Sequence, residues 1–167
     1  MNQQTGLLKS AHNRKGFDCG IPQLDNYLKK QANQDVKKGL SICFVLIDEE
    51  NQNVIGYYTL SNYSIDRDYL PEQVVKRFPS SYVKIPATLL GRLAIDSKHK
   101  GKGLGERLLM DALKRSYDVA KDKLGSIGVV VDPIDESATQ FYASYGFILL
   151  ADCGKMFLPM RTNAQLF

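Results

Sequence analysis

Leu93-Ala94-Ile95-Asp96-Ser97-Lys98-His99-Lys100-Gly101-Lys102-Gly103-Leu104-Gly105-Glu106-Arg107-Leu108-Leu109 is the stretch on which the fold turns. An apolar strand, Thr88 to Asp96, runs into a basic turn with alternate glycines. The turn opens a helix expected to reach about Lys123, with Leu104, Leu108, Ala112, Leu113 and Ala120 on one broad face. A helix N-terminus presents N–H groups without intrahelical acceptors and about half a positive charge. Glycines let backbone approach a phosphate with no Cβ in the way. Lys98, Lys100, Lys102 and Arg107 add cationic side chains, so the segment suits a diphosphate. It is not a P-loop, because Gly103 follows Gly101-Lys102 where Ser or Thr is needed. It is not a dinucleotide fingerprint either. Glu106 stands where the third glycine belongs, and the remaining chain, about sixty residues, is too short for the second half of a doubly wound sheet. A glycine-rich turn with a solvated basic face stands beside the anion-site reading.

Working outward, Asp18 to Pro22 reads as a helix start, followed by Leu24, Tyr27, Leu28, Gln31, Ala32 and Asp35 at helical spacing. Leu7 to Lys9, Ser41 to Asp48 and Val54 to Ile65 read as strands, the last two forming an antiparallel hairpin. A short helix is expected over Pro71 to Phe78, and a loop around Ser80, Ser81 and Pro86. Ser126 to Asp132 is almost wholly apolar, as a strand covered on both faces should be. Glu136 to Tyr145 is a helix that Gly146 would end, and Phe147 to Leu150 and Lys155 to Leu158 are closing strands. Antiparallel strands followed by strand–helix–strand predict an α+β chain. Its central sheet should be mixed and mostly antiparallel, of 6–7 strands with a central parallel pair, flanked by about four helices.

The whole chain, 1–167, reads as a single domain, with 44% hydrophobic and 24% charged residues. A net charge of +4 permits a polyanionic partner without suggesting a histone-like tail. No apolar run approaches the ~18–20 residues of a membrane span, and the first residues do not resemble a signal peptide. Cys19, Cys43 and Cys153 lie far apart, and His12 and His99 are the only histidines. No disulfide framework, no metal site and no Ser-His-Asp chemistry is expected, and the thiols suit a reducing, cytoplasmic setting.

A second segment, Asp135-Glu136-Ser137-Ala138-Thr139-Gln140-Phe141-Tyr142-Ala143-Ser144-Tyr145-Gly146-Phe147, follows the buried strand. Together the two segments resemble the GNAT N-acetyltransferase superfamily. Lys100-Gly101-Lys102-Gly103-Leu104-Gly105 is similar to its Gln/Arg-x-x-Gly-x-Gly/Ala coenzyme motif, with Lys100 replacing Gln or Arg. Phe141, Tyr142, Gly146 and Phe147 match its later Phe-Tyr-x-x-x-Gly-Phe signature, and the likeness covers roughly residues 40–160. A narrower resemblance joins Phe17-Asp18-Cys19-Gly20, Leu24 to Leu28, Gln31-Ala32, Gly56 to Ser61 and Leu90 to Asp96 to the acetyltransferase toxins of bacterial toxin–antitoxin pairs.

The resemblance implies the GNAT fold and acetyl-coenzyme A as donor. Leu93, Ala94 and Ile95 would pair with the pantetheine arm, with a strand amide such as that of Ile95 facing the thioester carbonyl. Lys100, Gly101, Lys102, Gly103, Leu104, Gly105 and Glu106 would hold the diphosphate, and Tyr142 would be the general acid for the leaving thiolate. A phenol near pKa ~10 against a thiol near ~8.5 makes full proton transfer uphill by roughly 2 kcal/mol, which nearby cations or a helix dipole would ease. Tyr142 as plain packing for Phe141 and Phe147 is the structural alternative, and Tyr145 is read as structural. The implied acceptor is the α-amine of an aminoacyl-tRNA, contacted by Arg92, Lys29, Lys30, Lys37 and Lys38, with Lys84 a lesser candidate. Each lysine has a solvated helix face as its bland reading. The implied partner is a ribbon–helix–helix antitoxin, and a homodimer is allowed. A small-molecule or protein amine is the alternative acceptor, and a non-catalytic coenzyme-binding module the remaining rival.

Overall fold

The computed structural model describes residues 4–167, and strands β3 (Val54–Asp66) and β4 (Lys84–Ile95) are its longest. The chain divides into two compact units, Met1–Ser61 with Leu90–Ala112 and Asn62–Leu89 with Leu113–Phe167. One sheet of seven strands has the order β1 (Gly6–Leu7), β2 (Ile42–Ile47), β3, β4, β5 (Gly128–Val131), β7 (Lys155–Pro159), β6 (Ile148–Leu150), with β4 and β5 parallel.

In the first unit β1 (Gly6–Leu7) and β2 (Ile42–Ile47) pair antiparallel, and β2 pairs antiparallel with β3 from Ile42↔Leu60 to Ile47↔Val54. The expected hairpin is present. Its buried face, including Cys43, Val45 and Tyr57, packs with Phe17, Leu24 and Leu28. The Tyr57 hydroxyl donates to the Leu24 carbonyl at 2.7 Å, so a large buried ring keeps its polar end satisfied. Pro22 sits at the start of α1 (Pro22–Asn26), where its missing N–H costs nothing. The single helix expected from spacing is interrupted by a π turn, Tyr27–Gln31, before α2 (Ala32–Lys37). The Ala32 amide reaches back five residues to Tyr27. Those two residues would lie about 140° apart around an α-helix, and the wider turn buries both.

In the second unit β5 (Gly128–Val131) pairs antiparallel with β7 (Lys155–Pro159), and β7 with β6 (Ile148–Leu150). All of β5 is buried, as its apolar run requires. Ile65, Leu70, Ile85, Ala87, Val130, Leu150 and Phe157 form the core. Helix α3 (Glu72–Val75) follows Pro71. Helix α5 (Glu136–Ala143) is capped by Asp135, whose carboxylate accepts from the Ala138 amide at 2.8 Å. Gly146, at φ +95°, reverses the chain after it, as the sequence suggests. The long helix α4 (Leu104–Asp122) runs from one unit's residues into the other's.

Three further features differ from expectation. Strand β4 begins at Lys84 and takes in Pro86, whose carbonyl accepts from Ile127 at 3.0 Å although its nitrogen can donate nothing. Helix α6 (Met160–Ala164) follows β7, too short to show a period, and the buried Asn163 amide donates to the Leu113 carbonyl at 2.9 Å. The loop after β3 is stapled by one side chain. The Arg67 guanidinium donates to the carbonyls of Val75 and Pro79 at 2.9 Å and of Phe78 and Tyr82 at 3.3 Å.

Gly128 has no room for a side chain. A Cβ there would overlap the Leu158 carbonyl oxygen and lie 2.7 Å from Phe157 Cζ. Gly128→Ala is expected to cost about 1–3 kcal/mol in urea unfolding. Gly125→Ala, with nothing within 4 Å of its Cβ, should stay within about 0.5 kcal/mol of the parent.

Candidate active site

The turn before α4 is built on backbone that only glycine adopts readily. Gly101 and Gly103 have φ of +77° and +74°, and Cβ atoms added at Gly101, Gly103 or Gly105 would meet nothing within 4 Å. Lys100 donates to the Ser97 carbonyl at 3.4 Å, and Arg107 to the Gly103 carbonyl at 3.1 Å. Between them, the amides of Gly101 to Glu106 have no acceptor among the described residues. A run of unpaired donors faces open space at the positive end of a long helix, and a diphosphate fits such a cradle.

Asp96 fixes the approach to this turn. Its carboxylate accepts from the amides of Asp18 and Lys98, each at 3.0 Å, and the Ser97 amide donates to the Asp18 carbonyl at 2.8 Å. Burial alone would raise the carboxyl's pKa. The two amides and the nearby His99 outweigh burial and hold it below its ordinary value. Lys100 does not extend as a loose cation. Its ammonium donates to the Cys19 carbonyl at 2.6 Å, which clamps the segment before α1 to the turn. The Asp96 amide donates to Ile55 on β3 at 2.8 Å. Amides alternate along a strand, so that of Ile95 points to the opposite edge of β4. Ala94 and Ile95 are buried, and Leu93 is half-buried.

Tyr142 lies in the last turn of α5, 8% exposed, with Phe141 and Phe147 ring centroids each 5.3 Å away. Its hydroxyl makes no hydrogen bond among the described residues. Burial pushes its pKa up to about 12. This is opposite to the lowering anticipated from cations or a helix dipole, because no charge near it outweighs the apolar rings. Tyr145 also packs on Phe141, at 5.3 Å. Ring packing and an open hydroxyl therefore coexist at Tyr142.

Arg92 stacks its guanidinium on the Tyr27 ring at 3.4 Å, and the Tyr27 hydroxyl donates to Asp35 at 2.8 Å. Stacking leaves the in-plane N–H groups of Arg92 directed sideways. Lys29, Lys30, Lys37 and Lys38 are exposed, the first pair on the π turn and the second at the end of α2. Lys84 is paired with Asp66 at 2.5 Å. Two thiols are sealed: burial pushes Cys19 up to about 11, with Asp25 adding to it, and Cys43 up to about 12. Among the described residues no group of three His, Cys, Asp or Glu side chains gathers as a metal site, and no helix is long and apolar enough to cross a membrane.

The Acetyltransferase (GNAT) domain matches residues 40–149. The chain belongs to the GNAT acetyltransferase family. It is similar to the probable toxin TacT of Sinorhizobium fredii, 35% identical over 94% of this chain and 90% of that protein. It is also similar to a tRNA-acetylating toxin of Mycobacterium tuberculosis, 34% identical over 84% of this chain and 81% of the other. Among solved structures, AtaT complexed with acetyl-methionyl-tRNAfMet matches with a TM-score of 0.90 and 28% identity over 99% of both chains. AtaTR bound with AcCoA matches at 0.87, with 29% identity over 100% of this chain and 99% of that one. An AtaT mutant on the C-terminus of the antitoxin AtaR matches at 0.84, with 26% identity and the same coverage.

Within this GNAT domain the sequence reading gave no role to Asp96 or to the stack of Arg92 on Tyr27. An acidic residue at a strand end before a turn is the signal for the first. The second joins residues far apart in the chain and leaves no local signal. Because the folded pKa of Asp96 is lowered, its contribution is complete above the unfolded value of ~3.9 and is lost as pH falls through the folded value. Asp96→Asn should cost about 1.5–3 kcal/mol at pH 7. The gap to the parent should narrow toward pH 3, read by urea denaturation at both.

Proposed function

We propose that this protein transfers the acetyl group of acetyl-coenzyme A to the α-amine of an aminoacyl-tRNA, as the cytoplasmic toxin of a toxin–antitoxin pair. The observation that carries the acceptor is the end-to-end likeness to AtaT in complex with acetyl-methionyl-tRNAfMet. The relative named as a tRNA-acetylating toxin and the AcCoA-bound AtaTR support the chemistry. AtaT on the C-terminus of AtaR supports an antitoxin partner. A ribbon–helix–helix antitoxin and a homodimer complete the proposal. We read the chain as one acetyltransferase domain, since the family match crosses both units and β3, β4 and α4 run through both.

Acetyl-coenzyme A supplies an acyl carbon activated as a thioester. The amides of Gly101 to Glu106 suit its diphosphate, with Lys102 beside them and Lys100 bracing the turn from Cys19. Leu93, Ala94 and Ile95 offer strand backbone to the pantetheine arm, and the Ile95 amide suits the charge that develops on the carbonyl oxygen. As the C–N bond forms and the C–S bond breaks, the amine releases a proton to solvent and the leaving sulfur takes one up. Tyr142 Oη holds that proton. With the phenol near 12, full transfer to a thiolate is uphill by about 5 kcal/mol, so Tyr142 acts chiefly by hydrogen-bond donation to developing charge. KacT and AtaT have both been solved as tyrosine-to-phenylalanine mutants, in keeping with a phenol of interest in such toxins.

An α-amine suits a site with no evident base. A lysine ε-amine is only ~0.04% neutral at pH 7, against ~14% for a free α-amine. Ester formation lowers the α-amine pKa further, so the acceptor needs positioning more than deprotonation before attack. Arg92 and Lys29, Lys30, Lys37 and Lys38 are the residues proposed to contact the RNA.

Incubation with labelled acetyl-coenzyme A and charged tRNA, deacylated tRNA, free amines and peptides tests the acceptor. Label is expected on charged tRNA alone, and label confined to free amines would overturn the proposal. Tyr142→Phe should lower kcat by about 10²–10⁴ with coenzyme affinity unchanged. Since the phenol stays protonated far above neutrality, no loss of rate traceable to Tyr142 is expected between pH 7 and 10.

A further inference from the structure

A second concavity lies on the first unit, in a part of the chain that the two family signatures do not include. It has a volume of about 560 Å³ and is lined by Ser10 to Lys15 and by Lys29. That volume falls in the range of pockets that hold small ligands or nucleotide-sized groups, roughly 300–1,000 Å³. The lining is chemically one-sided. Arg14, Lys15 and Lys29 are cationic, Ser10 and Asn13 are polar, Ala11 is the sole apolar member, and no carboxylate belongs to it.

The loop is held firmly. Asn13 donates its amide to the Gln52 carbonyl and accepts from Val54, at 2.8 and 2.9 Å, and its side chain donates to Asn53 at 2.6 Å. The Lys15 amide donates to the Asn13 side chain at 3.2 Å. His12 Nδ1 accepts from the Lys9 amide at 3.1 Å, so the neutral ring carries its proton on Nε2 as a further donor. Burial, Lys9 and Arg14 keep His12 below its ordinary pKa, a sign of the positive field there. The far wall is the π turn. Arg14 Nη1 donates to the Leu28 carbonyl at 3.4 Å, and the next residue, Lys29, faces the pocket.

We infer that this pocket binds a backbone phosphate of the RNA acceptor, with Lys15 and Lys29 as its mobile cations and Arg14 as its braced one. The inference rests on the RNA reading given above and adds a phosphate subsite to it. Phosphate is favoured over the carboxylate of an acidic peptide because three cationic side chains converge on one small concavity with no carboxylate among them, and Ala11 is the only hydrophobic residue in its lining to seat a peptide side chain. Lys29 belongs to both this pocket and the lysine row of the helical segment, so the two surfaces are continuous along the chain.

The test is fluorescence anisotropy with labelled deacylated tRNA, which reads RNA binding whether or not acetyl transfer is observed. For the protein with Lys15→Gln and Lys29→Gln together, affinity should fall, and the slope of log affinity against log salt should flatten by about 0.7–0.9 for each lost phosphate contact. Coenzyme affinity, measured by calorimetry, should be unchanged and reports that the variant is folded. The same loss of charge at Lys121 and Lys123, on and just after α4, should leave the slope unaltered. An unaltered slope in the pocket variant overturns the inference. So does a pocket variant that binds tRNA normally but loses affinity for an acidic antitoxin peptide, or an equal flattening in the Lys121 and Lys123 control. Failure of charged tRNA to accept acetyl would instead count against the function proposed above.

Discussion

An α-helix leaves its first amides without intrahelical acceptors, and something must meet that need. Many helices meet it with a capping side chain. In α4 the residue just before the first turn is Gly103, which has none, and the amides from Gly101 to Glu106 stay unpaired among the described residues. The Asp96 carboxylate, at the strand end before the turn, is spent one step earlier on Asp18 and Lys98. The shape of the turn is thereby set by bonds on its N-terminal side, while its donors stay directed outward. Lys100 reinforces this division, since its charge braces the Cys19 carbonyl.

The same separation between holding and acting occurs at Tyr142. Its ring is packed by Phe141 and Phe147, and its hydroxyl has no partner among the described residues. Burial makes the phenol a weaker acid, while its open hydroxyl remains available as a donor. A substrate amine that is already partly neutral asks less of such a site than a lysine would. The chemistry then falls mostly to positioning, which the apolar surroundings provide.

Much of this was legible in the sequence. The apolar run of β5, the apolar, β-rich hairpin of β2 and β3, and the glycine turn into α4 are written in local patterns of composition. The π turn was not, because Leu24, Tyr27, Leu28 and Ala32 satisfy helical spacing closely enough to conceal one extra residue in the turn. Pro86 argued against a strand, yet β4 tolerates it by using its carbonyl alone. The order of the last strands, β7 between β5 and β6, depends on which edge the chain reaches first, and hydropathy carries no such information. At the site, residue types were readable but pairings were not. Nothing local in the sequence says that Lys100 reaches Cys19 or that Arg92 lies on Tyr27.

The two sealed thiols have a chemical consequence of their own. Thioesters exchange readily with thiolates, so a protein that works beside a thioester risks acylating itself. With Cys19 near 11 and Cys43 near 12, only about one molecule in ten thousand or fewer carries either as the nucleophilic anion at neutral pH. Both sulfurs are therefore spectators, protected from self-modification by the hydrocarbon around them rather than by any inhibitor.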